Sequence, residues 1–419
     1  MMSALLHRYY FFLTLLFLAV SSIPCWSRTS EDTVSVNAKP GKFYIIPLPA
    51  LAYNPAFGFI YGVAASGNIL LGNPEDTRLS SGFLTATYST KKQFIFTLKS
   101  NVYTKHDRWI LNGDWRFFLS SQPTYGLGTG DQTSALVIGD EDNFGLGDYD
   151  DGVEEGELLK FNLFRFHQSA IRRITSGLYV GIGYQFDKYW DIEDVLLDLE
   201  ADPPLITNHY AYSILHDFDP EGYVISGPTL NVMYDTRDNI NYPFSGRYAN
   251  LQFKASPTWL GSDQQSTSLW LEYRDYFSLS KKVPRNTIAL WAFTNLTLSG
   301  QLPYMGLPAL GWDQLGRSGR AYPQGRFRGE HLFYAEMEYR FRLPLIRKYP
   351  DLLGGVMFAN TTSASALDQE VKLMQHFKPG AGVGLRIMIQ EATRSNVTLD
   401  YGIGADGKGA FYFNMKEYF

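Results

Sequence analysis

The chain has 419 residues, 45% hydrophobic and 16% aromatic, with 28 Tyr, 29 Phe, 38 Gly and a net charge of −5. A negative balance lacks the basic footprint that a nucleic-acid partner needs. One cysteine cannot build a disulfide framework or a thiolate metal site.

Residues 1–27 read as a secretory signal peptide. Arg8 lies in the basic n-region, 11–20 (FFLTLLFLAV) is the apolar h-region and 21–27 is a small-residue exit. The only cysteine, Cys25, leaves with it, and Pro24 stands where a lipoprotein site needs a small residue. No later run approaches the length of an apolar helix that spans a bilayer. Residues 28–56, with four prolines in KPGKFYIIPLPALAYNPAFG, read as an extended periplasmic lead-in. That length is too short for a separate folded domain.

From residue 57 to 419, alternating segments separated by turn signals predict an all-β, transmembrane antiparallel barrel of sixteen strands. The first candidate strand is 57–71 and the last is 409–419. A weak segment at 129–139 is included on parity, because bacterial barrels carry an even number of strands. Counting back from the C-terminus makes 188–220 and 299–330 external loops. Counting forward makes the turn at Lys91 periplasmic, and the extra strand reconciles the two. Residues 140–157 hold nine carboxylates and no Lys or Arg. They read as a solvated acidic loop or as a divalent-ion bridge to lipid phosphates; Phe144 occupies a required ligand position and rules out an EF-hand. Residues 190–199 carry the pattern of a short amphipathic helix.

The strand 331–343 shows the polarity of the barrel. Phe333, Ala335, Met337, Tyr339, Phe341 and Leu343 share one face, and Tyr334, Glu336, Glu338, Arg340 and Arg342 the other. A strand apolar outside and ionic inside is what a membrane barrel requires. The strand 264–280 repeats this, except that Asp275 interrupts its apolar face. In 378–390, Gly380, Gly382 and Gly384 turn inward with Arg386. In 394–404, Asn396, Thr398, Asp400, Gly402 and Gly404 do the same. Such glycines mark either the close approach of another chain segment, for which the Arg-rich loop 299–330 is at hand, or a bend in the wall. In 409–419, Phe411, Phe413, Met415 and Phe419 fall on the outward face.

Catalytic signatures are missing: there is no G-x-S-x-G and no H-E-x-x-H, and the glycines of 126–130 precede no helix. His106, His167, His209 and His331 show no site-like spacing. No enzyme activity, cofactor or metal is expected.

Four stretches resemble the outer-membrane assembly and translocation barrels of the BamA/TamA type, the bacterial surface antigen family. They are 234–246 (YDTRDNINYPFSG), Arg320-Ala321-Tyr322 with GRFRG and EYR after it, Leu399-Asp400-Tyr401-Gly402, and the terminal Phe419. Ala321 stands where the family has Gly, and 28–56 cannot hold a POTRA domain. The resemblance implies an outer-membrane barrel that assists membrane-protein insertion or protein and lipid translocation. A passive pore or structural barrel and, third, a lipid-modifying enzyme are the alternatives. Implied partners are outer-membrane lipid and unfolded outer-membrane client proteins or a separately encoded periplasmic partner. The seam between first and last strands is expected to be weak, with Gly58, Gly62 and Gly67 on one side and a short strand on the other. Within the lumen, Arg320 is expected to pair with Asp400 and with Glu336 or Glu338, beside Tyr322, Arg386 and Gly402. Phe419 is expected to be an outward C-terminal assembly signal.

Overall fold

The structure is a computed structural model that describes residues 39–54, 58–130, 137–138, 156–202, 204–283, 285–313, 316–390, 394–414 and 417–419. Residues 1–27, read as a signal peptide, and nearly all of the acidic loop 140–157 lie outside them. Eighteen strands occur among the described residues. They are β1 (Phe43–Asn54), β2 (Gly58–Ile69), β3 (Ser80–Ser89), β4 (Phe94–Tyr103), β5 (Trp109–Thr124), β6 (Val137–Ile138), β7 (Glu157–Thr175), β8 (Leu178–Asp194) and β9 (Leu205–Ile206), then β10 (Tyr223–Asp235), β11 (Gly246–Ser256), β12 (Ser266–Ser278), β13 (Thr287–Gly300), β14 (His331–Arg342), β15 (Leu353–Ala364), β16 (Lys378–Gln390), β17 (Ser395–Gly404) and β18 (Gly409–Asn414). Sixteen of them pair in chain order into one antiparallel sheet running from β1 to β18, while β6 and β9 form a separate ribbon. β1 and β18 are not hydrogen-bonded neighbours.

The side-chain period of two sorts each strand into a lumen face and a lipid face. On β14, Tyr334, Glu336, Glu338 and Arg340 are buried, while Met337 and Tyr339 are exposed to the outside. The bilayer removes any need to hide apolar groups, so the charged face is the one turned inward. Short connections such as 176–177 lie at one end of the sheet, the turn end. The longer connections 195–222 and 301–330 lie at the other, the loop end.

Several expectations change. The sheet begins at Phe43, inside the stretch read as lead-in, so Gly58, Gly62 and Gly67 lie on β2 and not at the seam as expected. Pro47 and Pro49 remove two backbone donors and disguised the run, yet an edge strand tolerates them. The strand expected at 129–139 contributes only Val137–Ile138, outside the main sheet. The count of sixteen therefore needs its extra strand before residue 57, and the turn at Lys91 falls at the loop end, on the same side as 301–330. No helix forms over 190–199, because β8 runs on to Asp194; the helix α1 is Asn208–Leu215, with the Thr207 side chain accepting from Tyr210 N.

Candidate functional site: a loop held in the lumen

The loop 301–330 folds into the barrel because its backbone polar groups find partners there. Leu310 N donates to Phe327 O at 2.8 Å and Gly325 N to Leu310 O at 2.7 Å, which makes the inner part hairpin-like. The Asp313 carboxylate accepts from the backbone N–H of Gly316, Arg317 and Ser318 at 2.8–3.0 Å, fixing the turn that delivers Arg320. Gly128 N donates to Arg328 O at 2.7 Å, and Arg328 Nη1 donates to Tyr304 O at 2.9 Å. Tyr304, Met305 and Leu307 then pack among Tyr189, Tyr212 and Tyr223 in an apolar cluster that covers the lumen near the loop end.

Arg320 is fully buried. Its Nη2 donates to Glu336 and to Glu338, and Nη1 lies 3.4 Å from Asp400 Oδ2. The guanidinium is sandwiched, 3.8 Å from the Phe358 ring centroid and 4.0 Å from that of Tyr418. A planar fork can contact three carboxylates and two rings at once; an ammonium cannot. The two glutamates are thus the nearer partners, and Asp400 is primarily bound by Arg386 Nη1 at 2.6 Å. Arg386 also donates through Nε to Glu417 at 2.7 Å, and Arg340 Nε donates to Glu338 at 2.6 Å. Every carboxylate in this cluster therefore has at least one guanidinium donor.

The inward glycines make room for the loop. Across the wall, Glu338, Phe358, Gly382 and Gly402 form one row, and Glu336, Asn360, Gly380 and Gly404 the next. A Cβ at Gly402 would fall 3.0 Å from Ala321 N, one at Gly380 2.9 Å from the Ala321 Cβ, and one at Gly404 2.6 Å from the Tyr322 ring. Arg320, Ala321 and Tyr322 thus lie across β14 to β17 in sequence order. Ala321 has φ +103°, a conformation that favours glycine, and its N–H donates to Tyr412 Oη at 3.0 Å. Tyr322 Oη donates to Pro379 O and accepts from Ala405 N.

Two parts of the site escaped the strand pattern. Phe419 is not on the outward face: it is 4% exposed, inside the barrel, with its ring 5.2 Å from Trp291 and its main-chain oxygen accepting from Arg340 Nη2 at 2.9 Å. Glu417 is held by Arg386, Asn396 and, through its carbonyl, by Arg317 of the loop. Glu417 was the available signal. Had β18 continued in register, it would have placed that carboxylate in lipid. The second part is the turn 236–245. It crosses the turn end, so that Arg394 Nη1 meets Asp238 at 2.6 Å and the buried Tyr242 lies beneath Arg340. The acids of the YDTRD stretch are consumed in this fold: Asp235 binds Arg237 and Arg78, and Asp238 accepts from Phe244 and Ser245 N–H.

Between loop and wall remains a cavity of about 190 Å³, lined by groups such as Gln168, Gln252, Lys254 and Trp270. The histidines pair locally, as His167 does with Asp187 and His209 with Asp194. Ser213 lies one helical turn beyond His209, but its hydroxyl and His209 Nε2 do not bond each other and both are buried.

The Omp85 superfamily domain matches residues 70–419. Among solved structures, the chain is similar to BamA from Haemophilus ducreyi lacking POTRA domains 1–3, with 14% identity and a TM-score of 0.53, covering 89% of this chain and 69% of that one. It is also similar to CdiB from Acinetobacter baumannii, with 12% identity and a TM-score of 0.50, covering 90% of this chain and 60% of that one. No curated protein matches. At such identities the structural likeness speaks for the fold.

Proposed function

The chain belongs to the Omp85 superfamily, an outer-membrane β-barrel, and from that membership we propose that it assists insertion of outer-membrane proteins or translocation of protein or lipid by opening sideways at its seam. The observation that carries this reading is the seam itself. β18 has six residues, β1 carries Pro47 and Pro49, and the two strands share no ladder among the described residues. An unpaired edge offers backbone donors and acceptors to an incoming strand, and few bonds need to break first. The clients would be unfolded outer-membrane chains or a secreted partner, and a separately encoded periplasmic protein is the natural donor of such clients. A passive pore is the weaker reading, because the loop, the C-terminal residues and Tyr242 occupy the lumen.

The test is a seam disulfide. Cysteine pairs, one residue on β1 and one on β18, would be scanned for a pair that oxidises in the intact envelope, and assembly of other barrels and release of secreted proteins would be followed by pulse-chase. Loss of either process on oxidation, restored by reductant, supports the reading. Unimpaired assembly and secretion with the seam fully crosslinked would refute it. Single-channel conductance near zero for the native protein, and large after deletion of the loop, would separate a plugged translocator from an open pore.

A further inference from the structure

The lipid-facing side of β12 is apolar except at Asp275, which faces Arg247 across the β11–β12 pair. A carboxylate on this face is costly unless it is paired. Asp275 accepts from Arg247 Nε at 3.1 Å and from Tyr273 Oη at 2.8 Å, and is itself only 6% exposed. The Arg247 side chain, by contrast, stays 59% exposed. Asp275 engages it through Nε, which leaves the two terminal amino groups of the guanidinium for another acceptor. Arg247 is the second residue of β11, at the turn end and so at the periplasmic boundary of the membrane.

Toward the membrane centre from this pair lies a groove of about 410 Å³. Tyr234, Ala249, Tyr273 and Ala292 face one another in a row across β10 to β13. The small side chains at 249 and 292 sink the floor between the rings, and Leu271 and Phe333 wall the far side. Tyrosines at this depth suit a membrane interface.

We propose that this wall seats one phospholipid of the periplasmic leaflet, its phosphate on Arg247 and one acyl chain in the groove. The wall faces the bilayer, the groove lining is apolar, and the exposed guanidinium sits where headgroups of that leaflet lie. A guanidinium binds phosphate oxygens with two parallel N–H donors. Asp275 holds Arg247 against the wall, which aims it rather than leaving it free in solvent. The site lies on the lipid face, away from the loop and the tail, so it stands independently of the proposed function.

The experiment places the full-length barrel in dodecyl maltoside micelles, whose headgroups carry no phosphate to compete for Arg247. These contain a small fraction of phosphatidylglycerol with a photoactivatable diazirine on one acyl chain, or of diacylglycerol with the same chain. Labelled peptides are mapped by mass spectrometry. Phosphatidylglycerol label is expected to concentrate on residues 247–256 and 287–300 by about fivefold over 383–389 on β16, three strands beyond β13, the ratio that about 1 kcal/mol supplies. Ala292→Phe should abolish that excess by filling the groove. Arg247→Gln should lower the phosphatidylglycerol label to the diacylglycerol level. Heat-modifiable gel mobility checks folding, and Ala249→Leu replaces Ala292→Phe if the latter does not fold. Even labelling around the wall, labelling insensitive to both substitutions, or diacylglycerol labelling equal to phosphatidylglycerol in the native protein would overturn the site.

Discussion

Replacing Arg320 with alanine tests the lock most directly. The substitution removes one guanidinium that serves Glu336, Glu338 and Asp400, and it empties the space between Phe358 and Tyr418. The damage is unequal among the carboxylates. Glu338 keeps Arg340, and Asp400 keeps Arg386. Glu336 keeps only the Tyr334 hydroxyl and the Asn360 amide. Stranding one buried charge costs about 3–5 kcal/mol. If that cost is spent on unseating the loop, the unseated population rises roughly 10²- to 10³-fold or somewhat more. Limited trypsin digestion of the folded barrel reads this, because Arg317 and Arg326 are half-buried while the loop is seated. Arg320→Ala should speed loop cleavage by that factor, and Arg320→Lys nearly as much. Adding Glu336→Gln to Arg320→Ala should slow it again, because the orphan charge is gone. A double variant cleaved as fast as Arg320→Ala, or a single variant cleaved like the native protein, would refute the reasoning.

Ala321→Gly should stabilise the seated loop by about 1 kcal/mol, since φ +103° is strained for alanine, and trypsin cleavage should slow accordingly. Gly402→Leu forces a Cβ to within 3.0 Å of Ala321 N, so the loop should unseat and single-channel conductance should rise; unchanged conductance would contradict the packing. Phe419→Ala should lower stability to urea in micelles by about 3–5 kcal/mol, as for other buried phenylalanines. A loss below 1 kcal/mol, with only assembly slowed, would favour a role as targeting signal alone. Arg394→Ala should change stability by only about 0–1 kcal/mol, because its pair with Asp238 is partly exposed. Tyr242→Ala should cost several times more in the same assay, since its ring is fully buried.

The strand periodicity revealed much because the lipid imposes it on every wall residue. The ionic face of β14 and the inward glycines of β16 and β17 follow from alternation and from the cost of charge in a bilayer; those glycines fitted a packed loop and a bent wall alike, and the seated Ala321 and Tyr322 decide for the loop. The proline-bearing edge strand did not, since a proline reads as a break unless the strand is known to be an edge. The C-terminal residues were misread for a related reason: alternation assumes that the strand continues. Glu417 contradicts that continuation, and the inward turn of Phe419 resolves the contradiction. The order of partners around Arg320 depends on how far a loop reaches, which no local pattern contains. The turn 236–245 spans the barrel mouth through Tyr242, and its tertiary partners Arg340 and Arg394 lie about a hundred residues or more away along the chain.

The shared arginines carry one thermodynamic consequence. Arg317 of the loop binds the Glu417 carbonyl, and Arg386 binds both the Glu417 carboxylate and Asp400, itself a neighbour of Arg320. The seated loop and the tucked residues 417–419 are therefore linked equilibria with common contacts. Linkage of this kind is reciprocal. The factor by which a drawn-out tail favours unseating of the loop equals the factor by which an unseated loop favours release of the tail beside the seam, so a ligand that draws out the tail loosens the loop by at most that shared factor.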